Sequence, residues 1–135
     1  MIQIVKDSDT RPWFFLQTAH TTYGMWVMET GHLEHLYYGE RITVDSQDPS
    51  SCTPLVIQRA FAPGNTCTYD REHPQISMED VCLEVGTLGK GDIRDPFLEV
   101  RFADGSVTSD FTFDSYEIIT LKEREQCLQD SGLPH

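Results

Sequence analysis

Positive charge is scarce in this chain: ten Lys and Arg stand against 22 Asp and Glu, for a net charge of −12 at neutral pH. Nucleic-acid affinity rests on clustered Lys and Arg, so that balance argues against a phosphate-backbone binder and against an anionic membrane surface. Long apolar runs are missing as well. None approaches the ~18–20 residues of a membrane span, and the N-terminus lacks the apolar stretch of a signal peptide. The cysteines Cys52, Cys67, Cys82 and Cys127 form no C-x-x-C pair and match no metal spacing. A secreted disulfide framework is denser and follows a signal peptide, so free thiols and a cytoplasmic location are expected. Helical periodicity is nearly absent. Length sets a further limit: 135 residues make one domain, and a (β/α)8 barrel of about 250 residues does not fit.

What is present is enough for a folded core. Hydrophobic content of 39% and aromatic content of 10% exceed what a disordered acidic tail carries. Period-2 alternation recurs between Gly, Pro, Asp and Ser clusters. In residues 97–102, Leu98, Val100 and Phe102 share one face, with Glu99 and Arg101 opposite. Asp104-Gly105 follows as a hairpin signal, and the return run places Phe111 and Phe113 together. These five apolar side chains are expected to be buried on one sandwich face. Residues 116–121 continue as strand-like sequence. Residues 13–18, 22–28 and 32–38 read as three further strands, the second apolar on both faces and so set between layers. Residues 122–130 read either as a helix or as a solvated loop. The set predicts an all-β chain, a β-sandwich spanning residues 1–135 as one domain. Between residues 45 and 90, Pro49, Pro54, Pro63 and Pro74 interrupt a Ser-, Thr- and Asp-rich stretch. Strand signals there are brief, at 55–57 and 81–85, and a loop-rich stretch of that length is functional or docked on something else.

Candidate chemistry is thin. His32 and His35 lie three apart, which in a strand puts them on opposite faces, so structural roles are expected rather than one metal site. Cys67 with His73, or Cys82 with Glu79 and Asp80, lacks the third orienting group of a nucleophilic site. The carboxylates Glu79, Asp80, Asp92 and Asp95 read as solvated or turn-stabilising groups. Trp13 and Trp26 offer rings on which a pyranose could stack, but Trp on a strand pattern more often packs in the core. No catalytic residue, metal or cofactor is assigned.

Four collinear segments carry a resemblance. They are Phe14-Phe15-Leu16-Gln17-Thr18-Ala19-His20-Thr21-Thr22-Tyr23, then Gly31-His32-Leu33-Glu34-His35-Leu36-Tyr37-Tyr38-Gly39. Next come Arg59-Ala60-Phe61-Ala62-Pro63 with Asp70-Arg71 and Ile76-Ser77-Met78-Glu79, and finally Gly89-Lys90-Gly91-Asp92-Ile93-Arg94-Asp95-Pro96. Together they resemble the N-terminal domain of glycoside hydrolase family 36, the large bacterial and fungal α-galactosidases. Gly132-Leu133-Pro134 resembles a segment midway through that family's β-supersandwich. The resemblance implies a non-catalytic accessory piece that packs on a barrel outside this chain. That barrel carries the two carboxylates of a retaining α-galactosidase, so this chain alone should be inactive. It also implies sister subunits as partners, since a loop of this domain reaches a neighbouring active site in tetrameric bacterial members. By position, Arg71 in the Asp-Arg segment and Gln58 before Arg59 are the implied substrate-binding residues. Gln58 stands where the family has Asp, and Leu83-Glu84-Val85-Gly86 stands for its Q-E-Y-P. A stand-alone carbohydrate-binding sandwich is the competing reading.

Overall fold

Four runs rich in β-branched and aromatic residues assemble one antiparallel sheet. The computed structural model describes residues 1–6, 11–56, 68–92 and 95–119. Its strands β1 (Ile2–Lys6), β2 (Pro12–Gln17), β3 (Thr21–Val27) and β4 (Leu33–Glu40) follow one another in spatial order. Three of the four lie where the alternation predicts, and β1 is the strand the sequence reading omits. Short connections fix the registers. The β2–β3 turn closes through Thr18, whose backbone N–H donates to Thr21 O at 3.0 Å and whose hydroxyl accepts from His20 and Thr21 N–H. The β3–β4 turn closes on Gly31 at φ +86°, a left-handed conformation that side chains rarely adopt.

Register then determines the two faces. On the inner face Val5, Trp13, Trp26 and Glu34 stand in one row across the four strands. The Trp13 and Trp26 rings lie 4.6 Å apart, and the Trp26 indole N–H donates to Glu34 Oε2 at 2.7 Å. Both tryptophans therefore belong to the core, as expected of Trp on strands. Residues 42–56 fold over this face, with Val44 and Cys52 joining Val5, Trp13 and Phe15. A 3₁₀ turn over Pro49–Leu55, capped by the Asp48 side chain, sets Cys52 wholly inside. Burial there pushes the Cys52 thiol up in pKa. A second cluster of Met28, Ile76, Met78 and Val81 adjoins the first through Trp26. Residues 82–84 run along the free edge of β4, with His35 N donating to Cys82 O and Glu84 N to Leu33 O. Two two-residue strands, β5 (Thr87–Leu88) and β6 (Gly91–Asp92), follow.

The outer face is covered in part by residues 109–116, an extended strap whose Phe113 and Tyr116 rings pack on Phe14 at 6.0 and 5.1 Å. Layers on both faces of the sheet meet the all-β sandwich expectation. The hairpin at 97–113 needs correction. Its tip forms as read: Gly105 takes φ +86°, and Phe102 and Ser106 close the turn. Its arms do not pair, and Leu98, Phe102 and Phe111 are 38%, 46% and 46% exposed. Val100 and Phe113 are only half-buried, and residues 116–119 form no strand. Alternation makes a strand only where a neighbour completes the ladder and a facing layer takes the apolar side chains. Along these arms the described residues supply only isolated contacts, a single bridge from Leu98 to Thr87 and the packing of Phe113 on Phe14. Residues 122–130 lie outside the described residues.

Candidate functional site

The loop that carries the predicted Arg71 is a closed turn. Tyr69 N–H donates to Ile76 O at 2.8 Å and Ile76 N–H to His73 O at 3.1 Å. At its centre Asp70 Oδ1 accepts from Glu72 N (2.9 Å), His73 N (2.7 Å) and His73 Nδ1 (2.8 Å). Asp supports such local turns because its short side chain reaches the backbone two and three residues on. Desolvation works against the Asp70 carboxylate, but the His73 and Glu72 donors outweigh it and hold its pKa below the usual range. With Asp70 turned inward, Arg71 projects into solvent, and no ion pair joins it to Asp70 or Glu72 among the described residues. A free guanidinium of this kind offers its planar fork of donors to a ligand. Gln58, the other predicted contact, lies outside the described residues, as does Cys67.

Behind the turn lies a polar network. The Tyr69 hydroxyl donates to Asp110 Oδ2 at 2.7 Å, and Asp110 Oδ1 meets His32 Nε2 at 2.6 Å. The other ring nitrogen of His32 meets Thr30 Oγ1 at 2.7 Å, and the imidazole is only 2% exposed. Lys90 places its ammonium 4.8 Å over the Tyr69 ring. Desolvation opposes the Asp110 charge, yet the His32 and Tyr69 bonds, with the His32 and Lys90 charges, hold its pKa below the ordinary carboxylate value. Burial and the Asp110 carboxylate push the Tyr69 phenol up to about 12.

A second network stands on the outer sheet face. The Tyr23 hydroxyl donates to the Glu84 carboxylate at 2.6–2.7 Å, and His35 Nδ1 lies 3.2 Å from Glu84 Oε1. Burial, then the Glu84 bond, pushes the Tyr23 phenol up to about 12. His32 and His35 thus enter separate networks, in keeping with their predicted opposite faces. Beside them Ile2, Leu16, Tyr23 and Tyr38 form one cross-strand row. Ile2 is 49%, Leu16 39% and Tyr38 71% exposed. Sequence reasoning missed Tyr69, Asp110 and Glu84 as site residues. Their partners lie 41, 78 and 61 residues away, so no local pattern announces them.

Known proteins share the chain's sequence and fold. The profile of the glycosyl hydrolase family 36 N-terminal domain matches residues 31–135. The bifunctional α-galactosidase/sucrose kinase AgaSK of Mediterraneibacter gnavus is 39% identical over 123 residues, which is 90% of this chain and 12% of that protein. The α-galactosidase AgaA of Geobacillus stearothermophilus is 27% identical over 122 residues, 90% of this chain and 16% of its own. Among solved structures, the α-galactosidase from Lactobacillus brevis superimposes with a TM-score of 0.66 at 30% identity, over 84% of this chain and 14% of that one. The galactosidase domain of AgaSK gives 0.63 at 30% identity, over 84% and 15%. The chain therefore spans about an eighth to a sixth of the curated relatives it matches. Among the described residues no helix is long and apolar enough to cross a membrane. On the profile match, the ordered motifs and the shared fold, the chain belongs to the family 36 glycosyl hydrolase N-terminal domains.

Proposed function

We propose that this chain acts as a non-catalytic accessory part of an α-galactosidase-type hydrolase, serving as scaffold, subunit contact and rim of the galactoside site. The observation that carries the reading is the exposed Arg71 turn, held out by Asp70 and His73 in a domain whose relatives are named α-galactosidases. Arg71 would donate to sugar hydroxyls beyond the scissile residue, and Gln58 would add a neutral hydrogen-bonding group beside it. The apolar row Ile2, Leu16, Tyr23 and Tyr38 supports the contact role, since a patch of this kind marks an interaction surface. The cleavage chemistry belongs to a barrel outside these 135 residues.

The test is Arg71→Ala in a full-length enzyme carrying this domain. Loss of a charged donor to a sugar hydroxyl predicts a KM raised about tenfold or more with kcat largely unchanged. Unchanged kinetics on both short and extended galactosides would rule out the ligand role.

A further inference from the structure

One carboxylate joins three parts of the chain that are distant in sequence. Asp110 belongs to the strap, His32 stands at the entry to β4, and Tyr69 opens the turn that presents Arg71. His32 is itself immobilised, because it is 2% exposed, its second nitrogen is taken by Thr30, and its ring meets the Tyr69 ring edge-on at 4.9 Å. The strap has few other polar anchors: Thr87 Oγ1 donates to Ser109 O at 2.5 Å, and Phe113 N–H to Gly31 O at 2.7 Å. The turn is otherwise held to the body by Ile76 and the Tyr69 ring against the Met28 cluster, by Lys90 over that ring, and by an exposed Gln75–Glu29 bond. Of the contacts near Arg71 among the described residues, the Tyr69–Asp110 bond is the one directional hydrogen bond that ties the turn to the strap.

We propose that Asp110 is a positioning residue for Arg71: its two oxygens lock the turn at 69–76 and the strap at 109–113 onto His32, so that the two segments open together. The inference rests on the reading of Arg71 as the ligand-facing group. A bond to a charged acceptor is the stronger kind of hydrogen bond, and removing a shared acceptor releases both donors at once. Local opening of this sort is read directly by amide hydrogen exchange.

The experiment is native-state exchange on the 135-residue chain and two variants. Asp110→Ala should accelerate the amides of Tyr69, Glu72, His73 and Ile76, together with that of Phe113, by about tenfold, while amides of β2 and β3 keep their rates. Turn amides within about twofold of the parent chain, with only Phe113 accelerated, would overturn the proposal. Should Asp110→Ala loosen the sheet as well, Tyr69→Phe decides. That variant keeps the ring over His32 and deletes one hydroxyl, so the turn amides should accelerate alone, and their constancy would overturn the coupling. The readout uses no sugar. An unchanged KM for Arg71→Ala in the full enzyme would therefore sink the ligand role and leave the coupling standing.

Discussion

Gly24 sits on the inner face directly opposite Phe15, and the Phe15 ring lies across it. A Cβ at Gly24 would stand 3.1 Å from Phe15 Cε1, 3.3 Å from Cδ1 and 3.6 Å from Tyr37 Cβ. Neither ring can easily retreat. Phe15 is fully buried, and the Tyr37 hydroxyl donates to Glu40 O at 2.9 Å. Gly24→Ala therefore has two opposed effects. Removing glycine's unfolded-state freedom from a strand interior stabilises by about 0.5–1 kcal/mol. Forcing a methyl into filled space costs about 1–3 kcal/mol. Crowding wins, for a net loss of roughly 0.5–2 kcal/mol. Urea denaturation should show a lower midpoint at an unchanged slope. The cause is isolated by a second variant, Phe15→Leu, which withdraws the ring edge at less than the about 3–5 kcal/mol of full truncation. In that background Gly24→Ala should be neutral or stabilising, giving a clear coupling in the double-mutant cycle. An equal loss in both backgrounds, or a single variant more stable than the parent, would refute the crowding argument.

Two further outcomes follow from the polar networks. Asp110 has a folded pKa below its unfolded one, so it contributes stability that is present above the unfolded carboxylate value of about 4 and lost as pH falls through the folded value. Urea midpoints for Asp110→Asn should therefore fall less between about pH 6 and pH 3 than those of the parent, and parallel curves would refute this. Tyr23 and Tyr69 are each pushed up to about 12, so ultraviolet titration of the native chain should show two of its five tyrosines ionising last. Glu84→Gln should bring only Tyr23 down, and a titration that overlays the parent's would remove Glu84 as a cause.

Local rules carried most of the sheet into view from the sequence. Strands β2, β3 and β4 are legible because apolar residues alternate between turn residues, and the Asp104-Gly105 tip is legible because its chemistry is local. The 97–113 arms show the limit of the same rule. Their alternation describes a preference for two-sided surroundings, and whether Leu98 or Phe102 is buried depends on a facing layer that the segment itself does not encode. Strand β1 is short, and Ile2–Lys6 gains its register from β2 rather than from its own pattern. At the site, the Asp70-Arg71 pair was legible through motif resemblance. The Tyr69–Asp110–His32 network was not, because it joins residues whose proximity exists only after the sheet, the turn and the strap have assembled.

The register shift between β3 and β4 has a consequence of its own. Tyr23 pairs with Tyr38 and Gly24 with Tyr37, but Met25 pairs with His35, so Leu36 is an extra residue that turns into the core beside Phe15. Such a bulge is a phase shift in the two-residue rhythm of the strand. Residues 34 and 36 lean inward, and without the shift residue 38 would follow them. With it, the adjacent tyrosines exchange sides: Tyr37 folds inward over Gly39, and Tyr38 stands out at 71% exposure to complete the outer row. One inserted residue thus writes the far end of the sheet in the opposite sense. Deleting Leu36 would therefore abolish the bulge and its apolar contact with the core while leaving Tyr37 on the inner side and Tyr38 on the outer one, because the shorter strand alternates without interruption.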